Sequence, residues 1–275
     1  MDHYCVMGNP VEHSRSPWIH ARFAELTGQT LQYGKRQIAL DQFATAVRDF
    51  IAEGGRGCNI TVPFKFEAAA LATHTSERAL LAQASNTLSL SGLEIAADNT
   101  DGAGLVNDIQ HNANFDLSGK RVLFLGAGGA AAGVLGPLIL AGPASITVAN
   151  RTLDKATALV AGHTALATLH KTELIKHGLQ GFEGDFDLII NATASSLSGA
   201  GVPVSASTLK PGALAYDMMY GPAAQGFLTW AAEHGAQARD GLGMLVEQAA
   251  ESFLIWRGVR PPSSQVLAEL RALMG

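Results

Sequence analysis

Residues 121–152, RVLFLGAGGAAAGVLGPLILAGPASITVANRT, decide the fold. They read as strand, glycine turn, helix and second strand in direct succession. Residues 122–125 form an unbroken apolar run, as a strand buried on both faces of a parallel sheet requires. Gly126, Gly128 and Ala131 fill the three small-residue positions of a G-x-G-x-x-G/A turn. The first permits tight curvature, the second lets backbone approach a pyrophosphate, and the third lets the helix pack on the sheet. The helix would aim its free N–H groups at the phosphates, and residues 145–149 supply the returning strand. A glycine pattern by itself is weak evidence. Its place between strand and helix is what makes a nucleotide-binding unit.

The residues just after the second strand bear on the cofactor. An NAD site usually carries Asp or Glu there, accepting from the ribose 2′-OH, whereas Asn150, Arg151 and Thr152 offer an amide, a cation and a hydroxyl. A carboxylate would repel a 2′-phosphate and a guanidinium attracts one. Lys155, on the first turn of the next helix, adds a second cation. The residues therefore favour NADP(H), against the plainer reading of Arg151 and Lys155 as solvated surface charges.

Beyond this stretch, 275 residues with 47% apolar and 16% charged side chains suit a globular enzyme of two modest domains or one large one. A formal charge of −5 gives no basic field for nucleic acid or an anionic membrane. The long uncharged run from 122 to 150 is punctuated by Pro137, Gly142 and Pro143 into strand and helix lengths, so it reads as a buried sheet and not a membrane span. The start, MDHYCVMGNP, has neither basic nor apolar leader character, and Cys5 and Cys58 sit in apolar strand-like segments as reduced core thiols. The expected location is cytoplasmic. Nine histidines and two separated cysteines show no zinc spacing, so no metal is expected. The expected assembly is a monomer or a homodimer.

Before the nucleotide unit, short strands and helices alternate. Strands are predicted over 3–7, 32–39 and 57–61, and helices over 17–26, 42–52, from Pro63, and across 76–83. Ser16 reads as an N-cap with Pro17 at the first helical position, and Pro63 as the opening of a helix that carries Lys65. A hairpin over 87–90 and 93–97 turns at Ser91-Gly92, and a helix near 104–111 leads into the nucleotide unit. After that unit come a helix from Asp154, strands over 186–190 and 213–216, a helix near 225–233, and two final helices over 243–256 and 264–273. The final pair has no sheet of its own to cover and is expected to pack back on the first domain. The polar, glycine-bearing stretch at 116–120 is the natural boundary before the nucleotide domain, which ends around Asp240.

Polar clusters stand at predicted strand ends: Ser14 and Ser16; Asn59, Thr61 and Lys65; Asn86; and Asn99-Thr100-Asp101. Ligands in open α/β sheets bind beyond the carboxyl ends of the strands, and many neutral donors with one cation and one anion suit a hydroxylated carboxylic acid. Each cluster also has a structural reading, as a helix cap for Ser16 or Asp101 and as turns for Asn86 and Asn99. Lys65, between two phenylalanines, could be a proton carrier or a lysine snorkelling from a helix surface. Spacing does not show that it meets Asp101.

A set of motifs occurs in order across nearly the whole chain: Gly8-Asn9-Pro10 with His13-Ser14-Arg15-Ser16-Pro17, Asn59-Ile60-Thr61-Val62-Pro63-Phe64-Lys65, Ser85-Asn86-Thr87, Asp98-Asn99-Thr100-Asp101-Gly102, Gly126-Ala127-Gly128-Gly129-Ala130, Asn150-Arg151-Thr152 and the run from Gly241 to Ala249. Together they resemble the shikimate dehydrogenase family. The resemblance implies a substrate-binding α/β domain over 1–103 completed by 241–275 and a Rossmann NADP domain over 104–240, with reversible NADPH-dependent reduction of 3-dehydroshikimate to shikimate in aromatic amino-acid biosynthesis. It implies Lys65 and Asp101 as the catalytic pair, Ser14 and Ser16 on the substrate carboxylate, and Asn59, Thr61, Asn86, Tyr220 and Gln248 as further substrate contacts. Gly126, Ala127, Gly128, Gly129, Ala130, Asn150, Arg151, Thr152 and Lys155 would bind the cofactor, with Met218 and Gly241 beside the nicotinamide and Glu77 approaching it. This chain departs from the family pattern in two places, with Ala131-Ala132 where many NADP-using members carry serine and arginine, and Lys155 where they carry arginine. A looser phosphate grip, with appreciable NADH use, is expected. The alternatives are a quinate/shikimate dehydrogenase using NAD, and a non-catalytic cofactor-binding regulator.

Overall fold

The computed structural model describes residues 1–179, 184–193 and 204–274. The chain divides into two compact units, one of Met1–Gly104 with the chain from Leu245 onward, the other of Leu105–Met244.

In the first unit, β1 (Asp2–Gly8), α1 (Ser16–Thr27), β2 (Leu31–Gln37), α2 (Phe43–Ala52), β3 (Gly55–Ile60), α3 (Lys65–Leu71), β4 (His74–Thr75), α4 (Glu77–Ala82), β5 (Thr87–Ser91) and β6 (Glu94–Asp98) succeed one another. They build a six-stranded sheet in the order β2-β1-β3-β5-β6-β4. The β2-β1-β3 part is parallel, while β5 runs antiparallel to both β3 and β6. Cys5, Met7, Cys58, Ile60 and Leu88 are buried with Phe43, Phe50 and Phe64 in one apolar cluster. Each such side chain withdrawn from water contributes roughly 1.5–3 kcal/mol. The carboxyl ends of β1 and β3, at Gly8 and Ile60, release the segments that hold Ser14, Ser16, Thr61 and Lys65.

Two expectations at these segments need correction. Ser16 is not the cap of α1: Arg15 is, and Ser16 already lies in the helix, its own N–H donating to the Ser14 hydroxyl at 3.3 Å. Pro63 does not open a helix. It lies in a turn closed by Phe64 N–H donating to Thr61 C=O at 3.1 Å, and α3 starts at Lys65. A turn satisfies the backbone locally, so the helix can begin where its first N–H groups are no longer needed.

In the second unit, α5 (Asp101–Asn107) and a π-helical turn (Asp108–Asn112) precede β7 (Arg121–Leu125), α6 (Gly129–Leu140), β8 (Ser145–Ala149), α7 (Leu153–Leu169), β9 (Glu173–His177), β10 (Phe186–Asn191), β11 (Leu209–Asp217), α8 (Gln225–Glu233) and β12 (Gln237–Arg239). The division between units falls inside α5 and near the start of α9 (Leu242–Arg257), and α10 (Ser263–Met274) ends the described chain. The sheet order is β12-β11-β10-β7-β8-β9 with every pair parallel, the doubly wound order of a Rossmann fold. Val122, Phe124, Ile146, Val148, Leu188 and Ile190 are fully buried, as strands covered on both faces must be. The edge strands β9 and β12 escape a reading by apolar runs, because Glu173, Ile175, Lys176, Gln237 and Ala238 are exposed. Asp108 is fully buried and ion-paired with Arg239, while the Tyr216 hydroxyl donates to its Oδ2 at 2.7 Å.

The final helices do return to the first unit. Arg22 on α1 holds Glu269 on α10 through Nε at 2.7 Å and Nη2 at 2.9 Å, and the Trp256 indole of α9 donates to Leu88 C=O at 3.1 Å.

Candidate active site

The first unit assembles its polar centre from four distant segments. Lys65 Nζ, on the first turn of α3, lies 2.6 Å from Asp101 Oδ2, at the start of α5. Their side chains are 19% and 9% exposed, so the pair is shielded yet open on one side. Asn86, just before β5, donates through Nδ2 to Asp101 Oδ1 at 2.8 Å, to Thr100 Oγ1 at 2.9 Å and to Gln248 Oε1 at 3.2 Å. Its Oδ1 accepts from Thr100 N–H at 2.8 Å and from Thr87 Oγ1 at 2.9 Å. Gln248, on α9, is itself held by Nε2 donating to Leu245 C=O at 2.8 Å.

The Asp98-to-Asp101 turn is braced from outside. Asp98 accepts from Ser76 Oγ and from Arg78 Nε, each at 2.6 Å, and from Asn99 N–H at 2.7 Å. Burial alone would raise the Asp98 pKa, but Arg78 and Ser76 outweigh it and hold the carboxyl below its ordinary range. Asn99 is structural here: its Nδ2 donates to Ala84 C=O at 2.9 Å and its Oδ1 accepts from Asp101 N–H at 3.2 Å.

Asn59 is buried with its amide engaged inside the unit. Its Oδ1 accepts from the Tyr33 hydroxyl at 2.7 Å, and its Nδ2 donates to Ser252 Oγ at 3.0 Å and to Thr87 Oγ1 and Asn86 C=O at 3.2 Å. Ser14 is half-buried and Ser16 buried, one turn before His20 on α1. The Thr61 hydroxyl has no partner among the described residues, while its N–H donates to Met7 C=O at 3.0 Å. Tyr33, Thr87 and Ser252 carry no signal strong enough to be chosen from the sequence. Thr87 closes the Ser85-Asn86-Thr87 motif and Ser252 lies one turn beyond Gln248, the only hints available.

Below this centre His20 is fully buried in an aromatic cage, stacked on Tyr33 with ring centroids 4.3 Å apart and flanked by Trp256 at 5.4 Å. Neither ring nitrogen has a hydrogen-bond partner among the described residues, and Asn59 approaches the ring without reaching bonding geometry. Burial pushes its pKa down to about 3.

The second unit offers backbone instead. Gly126 turns with φ +112°, and a Cβ there would stand 3.0 Å from the Ala192 carbonyl oxygen. Gly128 precedes α6, and a Cβ on it would meet nothing within 4 Å among the described residues. Ala127 and Gly129 are half-buried and Ala130 exposed, while Ala131 packs inward, fully buried. This cradle fits a pyrophosphate at a helix N-terminus. At the end of β8, Asn150 Nδ2 donates to Thr152 C=O at 2.8 Å, and Arg151, Thr152 and Lys155 are all exposed around it. Two exposed cations beside a hydroxyl, with no carboxylate at 150–152, fit a 2′-phosphate. Gly241 is buried against Met218: a Cβ would come 2.3 Å from the Met218 carbonyl oxygen, and the Gly241 N–H donates to Met219 C=O at 2.9 Å. Tyr220 comes after β11, just before a short 3-10 turn at Gly221–Ala223, and Glu77 is exposed at the start of α4. Among the described residues no helix is long and apolar enough to cross a membrane, and no cluster of His, Cys, Asp and Glu could hold a metal ion.

Known proteins match this chain throughout its length. The shikimate dehydrogenase substrate binding domain matches residues 6–88, shikimate/quinate 5-dehydrogenase residues 108–199, and the shikimate 5′-dehydrogenase C-terminal domain residues 241–271. The shikimate dehydrogenase (NADP(+)) of Acidovorax sp. (strain JS42) is 68% identical over 271 residues, which cover 98% of this chain and 96% of that protein. Among solved structures, an Ael1 enzyme from Pseudomonas putida is 44% identical with a TM-score of 0.89, covering 98% of both chains. Shikimate 5-dehydrogenase from Thermus thermophilus, in complex with NADP(H) and shikimate, is 29% identical with a TM-score of 0.86, covering 99% of both. At such identity over such a span, the chain belongs to the shikimate dehydrogenase family.

Proposed function

We propose that the chain catalyses the reversible, NADPH-dependent reduction of 3-dehydroshikimate to shikimate. The observation that carries this reading is the 2.6 Å contact between Lys65 Nζ and Asp101 Oδ2, set among neutral donors that suit a ring bearing hydroxyls. NADPH, when bound, supplies a hydride to the ketone carbon. Negative charge then grows on the ketone oxygen, where the Lys65 ammonium stabilises it and passes a proton from Nζ. In the oxidation direction Lys65 takes that proton back from the hydroxyl. Asp101 orients the ammonium through Oδ2 and meets a neighbouring ring hydroxyl. An analogue lacking that hydroxyl would forfeit this contact with the carboxylate and be turned over less efficiently.

Ser14 and Ser16 would hold the substrate carboxylate. Thr61, with its hydroxyl unengaged, would join Asn86, Gln248 and Tyr220 on the ring oxygens. Asn59 acts from behind, through Tyr33 and Ser252. Gly126, Ala127, Gly128, Gly129 and Ala130 would cradle the pyrophosphate, Asn150, Arg151, Thr152 and Lys155 the 2′-phosphate, and Met218 and Gly241 the nicotinamide, with Glu77 a further cofactor contact. In these terms residues 1–103 and 241–275 are the substrate domain and 104–240 the cofactor domain. The buried free thiols Cys5 and Cys58 suit a cytoplasmic enzyme, a monomer or a homodimer.

A quinate-type activity with NAD is the second reading, its choice of cofactor favoured by Ala131-Ala132 after the glycine turn and by a lysine, Lys155, in place of the family's arginine. Measuring kcat/KM for shikimate and quinate, each with NADP+ and NAD+, separates the two. The first reading expects shikimate with NADP+ to exceed every other combination by about tenfold or more, the order of one charge-assisted contact. Quinate with NAD+ in first place would overturn it.

A further inference from the structure

We infer that the buried hydroxyls of Thr87 and Ser252 form a positioning device, which holds the Asn86 amide with its nitrogen toward Asp101 and so fixes the carboxylate facing Lys65. The inference rests on the function proposed above, because it assigns these hydroxyls a purpose within that reaction.

An amide side chain fills nearly the same space when turned over, with nitrogen and oxygen exchanged. Asn86 therefore needs neighbours that distinguish its two ends. Thr100 N–H can only donate, and it stands 2.8 Å from Asn86 Oδ1. The ionised Asp101 can only accept, and its Oδ1 stands 2.8 Å from Asn86 Nδ2. Thr87, fully buried at the first position of β5, is the nearer of two hydroxyls at the oxygen end, with Oγ1 at 2.9 Å against 3.2 Å for Thr100 Oγ1. A hydroxyl carries one proton, so Thr87 supports the correct orientation only if that proton is given to Asn86.

Ser252 and Asn59 enforce this. Asn59 Nδ2, a donor, lies 3.2 Å from Thr87 Oγ1 and 3.0 Å from Ser252 Oγ. Ser252, fully buried on α9, lies 2.8 Å from Thr87 Oγ1, and the Gln248 carbonyl at 3.1 Å and Thr100 Oγ1 at 3.2 Å are the longer alternatives for its proton. With Asn59 and Ser252 occupying both lone pairs of Thr87, its proton is left for Asn86 Oδ1. The donations then run one way, from Asn59 to Ser252 to Thr87 to Asn86 and on to Asp101, and bonds aligned in series strengthen one another. A reversed Asn86 would set a carbonyl oxygen against the Asp101 carboxylate and an amino group against Thr100 N–H, two repulsive contacts inside a buried site.

The test uses the full chain and the substitution Thr87→Val, which keeps volume and removes the hydroxyl, with Thr87→Ser as the variant that retains it. The kcat of shikimate oxidation should fall about tenfold in Thr87→Val and about threefold in Ser252→Ala, the order expected for one or part of one buried hydrogen bond. The shikimate KM should rise by no more than about threefold, and Thr87→Ser should return kcat to within about twofold of the parent. Shikimate deuterated at the carbon that gives up hydride should show a larger isotope effect on kcat in Thr87→Val, because a misaligned pair slows the chemical step. Loss of folded enzyme would not move that ratio. Parental kcat and isotope effect in Thr87→Val, or Thr87→Ser as impaired as Thr87→Val, would overturn the inference. If Thr87→Val does not fold, Ser252→Ala decides by the same isotope effect. A parent chain inactive on both shikimate and 3-dehydroshikimate overturns the function itself, and this positioning role with it.

Discussion

Around Asn86, polar side chains from β3, β5, the start of α5 and α9 saturate one another in a buried pocket, whereas around Gly126 binding is left to bare backbone at the end of an apolar sheet. Under the proposed function the two units solve recognition by opposite means. A side-chain site reads individual hydroxyls and depends on single atoms being donors or acceptors. A backbone site reads the shape and charge of a phosphate. It tolerates most neighbouring sequence and fails only when a Cβ intrudes. The first kind is vulnerable to lost protons, the second to added carbon.

The largest expected effect lies under the side-chain site. The unfolded chain protonates His20 near pH 6.5, but the folded one does so only at about 3. Between those values the unfolded state binds more protons, so stability is full above pH 6.5 and drains away as pH falls toward 3. The total loss is about 5 kcal/mol at a slope of about 1.4 kcal/mol per pH unit. Urea unfolding of the parent and of His20→Phe across pH 7 to 4 should give diverging acid limbs, shallower in the variant. Parallel limbs would show that the imidazole does not carry this acid sensitivity.

Two glycines sharpen the contrast in the other unit. Gly126→Ala puts a Cβ at φ +112° and 3.0 Å from the Ala192 carbonyl oxygen, and should destabilise the fold by about 1–3 kcal/mol. Gly128→Ala meets nothing and should melt like the parent, yet weaken NADP+ binding about tenfold in calorimetry, the effect of a methyl displacing a phosphate from backbone N–H groups. Unchanged affinity in Gly128→Ala would mean that the pyrophosphate does not approach there.

These contrasts also explain how much could be read without a structure. The nucleotide unit was legible because its turn, helix and flanking strands are contiguous and their apolar runs are forced by burial on both faces. Only the edge strands β9 and β12 were lost, since an edge with exposed Lys176 or Gln237 has no apolar signature. The polar centre is different. Lys65, Asn86, Asp101 and Gln248 come from separated segments, and no local period records that α9 returns to place Gln248 and Ser252 beside Asn86. Resemblance pointed to those residues, but Thr87, Ser252 and Tyr33 act one contact further out and left no local mark. The misread caps at Ser16 and Pro63 fall on either side of a helix start, Ser16 just inside α1 and Pro63 before α3, because turn chemistry marks that neighbourhood without fixing its residue.

The most direct test of the account is a comparison of the parent chain with Lys65→Met, a side chain of similar length without the ammonium. With 3-dehydroshikimate and NADPH, the account predicts that turnover falls by about a hundredfold or more while calorimetric affinities for shikimate and NADP+ stay within a few-fold, because the lysine acts on the reacting oxygen. A Lys65→Met enzyme that keeps most of its turnover would contradict the assignment of the proton to Lys65.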